Sequence, residues 1–191
     1  MKIVLFCGAG ISYSAGIPLF TNETFTSEER KSVECINWFN RFSEIMKPCK
    51  PTELHYYFAK LQKKYGSNNV CIYTQNIDDL FEKCGAHVTH LHGEINNGLN
   101  DITLYGEKMP KTKYESFIED LFSLSNEDIY ITMGTSEKSI SADTIIKPIK
   151  CTKIYANPKN ESLIDESQYN FILHEPLLFT QNLESIIKYK I

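Results

Sequence analysis

The chain has 191 residues, with 20 Lys and Arg against 24 Asp and Glu and a formal net charge of −4. That length supports one domain with a core needing no disulfide or metal staple, and 42% apolar with 23% charged residues excludes the disordered class. The acidic balance argues against a nucleic-acid partner, because phosphate neutralisation needs clustered Lys and Arg.

In chain order, short apolar runs predict strands over residues 2–7, 69–74, 87–91, 128–133, 151–156 and 170–173. Between them, helical spacing predicts helices over 51–65, with Leu54, Phe58 and Leu61, over 113–124, with Phe117, Ile118, Leu121 and Phe122, and over 179–189, with Leu183, Ile186 and Ile187. Residues 21–51, interrupted by Pro48 and Pro51, read as a less regular cofactor-loop and helical insertion, and 94–110, with Asn96-Asn97-Gly98, as a turn-rich connection. Strands alternating with helices make βαβ units. The expected fold class is therefore α/β, a doubly wound Rossmann-like parallel sheet with helices on both faces, as one domain over 1–191.

The N-terminal apolar run is too short for a secretory segment, and no run approaches the roughly 18 apolar residues of a membrane helix. Six cysteines (Cys7, Cys35, Cys49, Cys71, Cys84 and Cys151) include no C-x-x-C pair. The expectation is free thiols in a soluble protein of the reducing cytoplasm, with no membrane partner.

The first strand runs into Gly8-Ala9-Gly10-Ile11-Ser12, followed by Ser14-Ala15-Gly16-Ile17-Pro18 and Phe20. Glycine there permits a tight turn and close approach to a pyrophosphate. A helix opening at that point presents N–H groups and a positive dipole end to the anion. The third glycine of the G-x-G-x-x-G fingerprint is replaced by Tyr13. Taken alone, the two glycines serve equally as a strand-to-helix turn. Asp78 alone reads as a helix N-terminal acid, and Gly134-Thr135-Ser136 alone as a strand-end turn.

Taken with Thr74-Gln75-Asn76-Ile77-Asp78, His92-Gly93, Gly134-Thr135-Ser136 and Asn157, all in order, the opening string resembles the sirtuin (Sir2) family over nearly the whole chain. The resemblance implies an NAD-dependent protein-lysine deacylase, which transfers the acyl group of an acylated-lysine protein or peptide to ADP-ribose and releases nicotinamide. It places Gly8, Ala9, Gly10 and Ser12 at the NAD diphosphate, with Ile17 and Pro18 in the cofactor loop and Phe20 shielding the reacting ribose carbon. It places Gln75, Asn76 and Ile77 at the nicotinamide ribose and Asp78 at the carboxamide. Gly134, Thr135, Ser136 and Asn157 then hold the phosphate and adenosine. His92 is the general base, with Asn76 beside it as the second catalytic residue. Tyr105, Gly106 and Glu107, with Pro110, are similar to the family's Phe-Gly-Glu…Pro and border the substrate.

Four features depart from the family pattern. Leu19 and Thr21 stand where Asp and Arg usually flank the Phe, and His90 stands where an acid usually precedes the catalytic His by two. Only a short connection over 94–112 separates Gly93 from the later motifs, with none of the six cysteines in it, so the zinc-binding lobe is expected to be absent or reduced and no metal is assigned. Residues 137–141 are polar where an apolar segment usually meets peptide. These departures leave two alternatives open: an NAD glycohydrolase or ADP-ribosyltransferase, and a non-catalytic NAD or ADP-ribose module.

Overall fold

A computed structural model describes residues 1–19, 25–136, 140–159, 161 and 163–190. Six strands form one sheet: β1 (Ile3–Cys7), β2 (Val70–Thr74), β3 (Thr89–His90), β4 (Ile129–Met133), β5 (Thr152–Ala156) and β6 (Phe171–Leu173). Their order is β3-β2-β1-β4-β5-β6 and every pairing is parallel. This is the doubly wound order, in which the chain turns back at the β1–β4 boundary and leaves a crevice at the strands' carboxyl ends.

Alternation along the strands divides the interior into two layers. Ile3, Leu5, Ile72, Ile131 and Ile154 face α2 (Glu53–Tyr65) and α6 (Phe179–Lys190) through Phe58, Leu61, Leu183 and Ile187. Val4, Phe6, Tyr130 and Tyr155 face α4 (Lys111–Phe122) and the short α5 (Ala142–Ile146) through Phe117, Leu121 and Ile146. Full burial of each such side chain stabilises by roughly 2 kcal/mol. Because both faces are covered, the central strands are apolar throughout rather than alternating.

The expected strands all form, with trimmed ends: the run at 87–91 keeps only Thr89–His90 as β3. The helices at 51–65, 113–124 and 179–189 form over Glu53–Tyr65, Lys111–Phe122 and Phe179–Lys190. The insertion at 21–51 contains more order than its polarity suggests. Ser32 caps α1 (Val33–Met46) by accepting from the Cys35 N–H at 3.1 Å. Cys35, Phe39, Phe42 and Met46 form one buried stripe, and Pro48 follows the last turn. With Ile17, Ile77, Leu80, Ile102 and Leu104 they build a third apolar cluster, a small lobe over the first two layers. The connection after His92 is two 3₁₀ turns, Ile95–Asn97 and Leu99–Asp101, as its Asn-Gly content suggests. Among the described residues no helix is long and apolar enough to cross a membrane.

A capping box opens α2: His55 Nδ1 accepts from the Thr52 N–H at 3.2 Å. His55 is fully buried against Phe81, and its Nε2 finds no partner among the described residues. Burial lowers its pKa from 6.5 to about 4, so the imidazole is folded in neutral. The unfolded chain takes up a proton near pH 6.5 that the folded one refuses until about pH 4. Folding stability is therefore intact above about 6.5 and falls as pH drops toward 4, by at most about 3 kcal/mol. Urea unfolding followed from pH 7.5 to 4.5 is expected to show this loss, and His55→Gln, which keeps an acceptor for the cap, to flatten it.

Candidate functional site

The registers of β1, β2, β4 and β5 bring four strand ends to one level. Cys7 pairs with Thr74 and with Met133, and Met133 pairs with Ala156. The residues one step beyond are Gly8, Gln75, Gly134 and Asn157. Each extends the ladder: Gly8 donates to Met133, Gln75 to Cys7, Gly134 to Ala156 and Asn157 to Leu173, at 2.9–3.1 Å. Motifs more than 140 residues apart in sequence thus share one edge.

At that edge the glycines serve loop against loop. A Cβ on Gly10 would lie 2.7 Å from Gly134 Cα, and one on Gly134, whose φ is +59°, 2.7 Å from the Ile11 nitrogen. The Gly10 N–H donates to the Gly134 carbonyl at 2.8 Å. The loops after β1 and β4 are therefore in backbone contact, which no side chain at these positions permits. The helix expected after β1 does not form. Two 3₁₀ turns, Ala9–Ile11 and Tyr13–Ala15, take its place, and Gly16 ends the second in a left-handed conformation at φ 92°. With Tyr13 where the third glycine would let a helix pack on its strand, the loop has no long dipole to offer, and an anion there is left to individual backbone and side-chain donors.

A buried polar chain lies behind this loop. Asn76 Nδ2 donates to Ser12 Oγ at 3.1 Å, and Ser12 Oγ donates to Asp78 Oδ2 at 2.9 Å. Asp78 Oδ1 accepts from the Leu80 N–H at 3.2 Å. Burial raises the Asp78 pKa, with the Leu80 and Ser12 hydrogen bonds opposing it. Across the crevice Gln75 Nε2 donates to Thr135 Oγ1 at 2.6 Å, and Asn157 Nδ2 to the Thr135 carbonyl at 3.3 Å. Ser136 is half-buried beside them. Three segments of the site are thus pre-set by hydrogen bonds among themselves.

His92 follows β3 and continues its alignment with β2, because Leu91 donates to the Thr74 carbonyl at 2.8 Å. Its carbonyl accepts from Thr103 at 2.8 Å. Its Nε2 is buried and finds no partner among the described residues. Burial lowers its pKa to about 4, leaving a neutral imidazole, the form a general base requires. An unpartnered buried nitrogen is costly unless a ligand completes it.

Sequence reasoning gave His90 no role, yet it supports Asn76. Its Nδ1 lies 2.7 Å from the Asn76 carbonyl oxygen and its Nε2 2.8 Å from Glu82 Oε1. Burial pulls its pKa down, but the hydrogen bonds to Glu82 and Asn76 outweigh that and raise it. The available signal was its place two residues before His92, on the same strand end.

Other expected site residues have structural duties. Ile17 and Ile77 are buried in the small lobe, while Pro18 is exposed. Glu107 pairs with Arg30 at 2.5 Å and accepts from the Leu104 N–H at 2.8 Å, tying the lobe together. Tyr105 is exposed and pairs through its backbone with the 25–26 segment. Gly106 turns the chain at φ 82°. Phe20 and Thr21 lie outside the described residues, as do positions 137–139.

The Sir2 family model matches residues 8–98, from the first glycine loop through His92 and Gly93. That match takes in a little under half of the chain. An NAD-dependent protein deacylase of Bacteroides thetaiotaomicron is 33% identical over 108 residues, covering 49% of this chain and 45% of that relative. The chain thus spans less than half of that protein's length. An NAD-dependent protein deacylase of Aggregatibacter actinomycetemcomitans is 26% identical over 186 residues, covering 75% of this chain and 85% of the relative. A mutant Sir2 homologue solved with ADP-ribose superposes with a TM-score of 0.80 at 19% identity, over 100% of this chain and 94% of that one. At that identity the likeness speaks for the fold.

Near these strand ends the tightest glycine is Gly93, at φ 87°, where a Cβ would lie 2.0 Å from the Asp101 carbonyl oxygen. Gly16, at φ 92°, has nothing within 4 Å. Gly16→Ala is expected to cost about 1 kcal/mol from backbone strain alone. Gly93→Ala adds a clash with fixed backbone, for a loss of about 3 kcal/mol or more. Urea unfolding of the two variants checks the difference.

Proposed function

We propose that this chain is an NAD-dependent protein-lysine deacylase that takes an acylated-lysine peptide, releases nicotinamide and leaves the acyl group on ADP-ribose. The observation that carries the reading is the buried, unpartnered Nε2 of His92, two residues beyond the His90 that bonds the Asn76 carbonyl, with Asn76 in turn bonded to Ser12 and Ser12 to Asp78. The relatives named above are called NAD-dependent protein deacylases, and a further Sir2 structure of similar fold holds 2′-O-acetyl-ADP-ribose and a deacetylated peptide.

The donor set suits NAD. Asp78 offers acceptors to a carboxamide NH₂, Asn157 and Thr135 offer polar atoms at the adenosine end, and the small residues Gly8, Ala9, Gly10 and Gly134 let the loop backbone approach a diphosphate. In the reaction the acyl oxygen attacks the anomeric carbon of the ribose as nicotinamide leaves. His92, neutral at working pH, then accepts the proton of the ribose hydroxyl that attacks the acyl carbon. Asn76, held by Ser12 and His90, orients the ribose.

The small lobe is proposed to stand on apolar packing in place of thiolate-bound zinc. Trp38 stacks on Phe42 at 4.8 Å, and Arg30 bonds the Leu99 and Ile102 carbonyls as well as Glu107. The cysteines are free thiols; burial pushes Cys7 up to about 12 and, with Asp120 beside it, Cys71 likewise. Such thiols suit a reducing, cytoplasmic setting.

Incubation with NAD and an acetyl-lysine peptide is expected to release nicotinamide only when the peptide is present and to yield acetyl-ADP-ribose by intact mass. His92→Ala is expected to lower turnover about 100-fold or more while ADP-ribose still raises the melting temperature. ADP-ribose as sole product, formed without peptide, overturns the reading in favour of an NAD glycohydrolase.

A further inference from the structure

His90 presents a problem of protons. Its Nδ1 faces the carbonyl oxygen of Asn76 at 2.7 Å, which only accepts, so this nitrogen carries the hydrogen. Nε2, 2.8 Å from the Glu82 carboxylate, then holds either a second proton that it donates to Glu82 or a metal ion in that proton's place. Glu94 brings a second carboxylate, and one oxygen from each glutamate lies within 4.8 Å of the imidazole nitrogen and of the other. A proton on Nε2 serves one carboxylate, whereas a divalent ion in its place serves the imidazole and both carboxylates at once.

Among the described residues, no Lys or Arg pairs with Glu82 or Glu94. Lys83, the adjacent cation, is engaged by Asp79 at 2.9 Å and by the carbonyls of Met46, Lys47 and Cys49. Asp101 adds further negative charge, its carboxylate accepting from the Glu94 N–H at 2.8 Å. The convergent atoms therefore lie in an anionic setting.

We propose that Glu82, His90 and Glu94 form a binding site for a divalent transition-metal ion, bound by His90 Nε2 and one oxygen of each glutamate. This site is separate from His92 and does not depend on the deacylase reading. Zinc-type ions take imidazole nitrogen and carboxylate oxygen at about 2.0–2.2 Å, which puts neighbouring donor atoms about 3 Å apart. The Glu82–His90 spacing already meets that, and a rotamer change of Glu94 closes the third edge. Imidazole with two carboxylates suits Zn²⁺, Co²⁺ or Mn²⁺ better than Mg²⁺. The hydrogen bond from Nδ1 to a backbone carbonyl is the outer-shell contact that metal-bound histidines characteristically make. His90 is 5% exposed but Glu82 lies in solvent, so the site has a polar floor and an open mouth.

The ligands come from the short helix α3 (Leu80–Lys83), the last residue of β3, and the segment just after Gly93. An ion there clamps the segments on both sides of His92. Through His90 it also fixes the carbonyl of Asn76, whose side chain holds Ser12. His90 is one of this chain's departures from the family pattern, so the site is a property of this chain.

The test uses the whole chain, stripped with EDTA and returned to chelator-free buffer. Titration with Co²⁺ is expected to give one site with visible d–d absorption and without the near-ultraviolet charge-transfer band of a cobalt–thiolate, which separates it from the free cysteines. Zn²⁺ is expected to raise the melting temperature and to compete with Co²⁺. His90→Gln and Glu94→Gln are each expected to weaken binding at least about tenfold, while His87→Gln leaves it unchanged. If His90→Gln does not fold, the half-exposed Glu94→Gln carries the comparison. Absence of binding at millimolar metal, a thiolate spectrum, or binding that survives Glu94→Gln overturns the proposal.

Discussion

Parallel pairing of β1 with β2 on one side and β4 on the other is the constraint on which the rest depends. With Cys7 level with Thr74 and Met133, the chain must leave three strands at one height and one edge. Parallel strands need crossovers, and the crossovers put helices on both faces. Irregular backbone then gathers at the carboxyl edge, where the loops after β1 and β4 meet. Such a crevice has polar main chain on its rim and apolar layers beneath it. Burial of Phe58, Phe117, Leu121 and Leu183 holds the sheet rigid, and that rigidity lets a few hydrogen bonds define a site.

The contact between the Gly8–Gly10 loop and Gly134 shows how narrow that tolerance is. Sequence reasoning assigned these glycines to the approach of a phosphate. The structure gives them a prior duty, because a methyl group on Gly10 or Gly134 would strike the opposite backbone before any ligand arrived. That contact fixes the two loops against each other through main chain alone at Gly10 and Gly134. The same economy governs His90, whose two ring nitrogens tie a strand end to a short helix and so hold Asn76 from behind.

Much of the architecture was legible from periodicity. The runs around Val4, Ile72, Ile131 and Ile154 are apolar on successive residues, which only a strand covered on both faces explains. The stripe of Leu183 and Ile187 marked α6, and Gly66 marked the end of α2. A helical element was expected within 21–51, but the bounds of α1 escaped because its buried stripe of Cys35, Phe39, Phe42 and Met46 is spread through polar residues and flanked by Pro48. Its burial depends on Ile77, Ile102 and Leu104, which are distant in sequence and themselves turn-like. The shortening of β3 to two residues likewise follows from its position at the sheet edge, where β2 is its one paired neighbour among the described strands.

By itself the sequence determined the alternation of strands and helices, the positions of the glycine turns, and the ordered set of polar residues at strand ends, because these follow from local spacing. It marked Asn76, Asp78 and His92 through the company they keep. Only the tertiary structure decided that Ser12 links Asn76 to Asp78, that His92 keeps an unpartnered buried nitrogen, and that Ile77 and Glu107 serve the small lobe. Only it brought Glu82, His90 and Glu94 together. Those outcomes depend on which groups lose water and which distant partners replace it, and burial is a property of the packed molecule rather than of any stretch of chain.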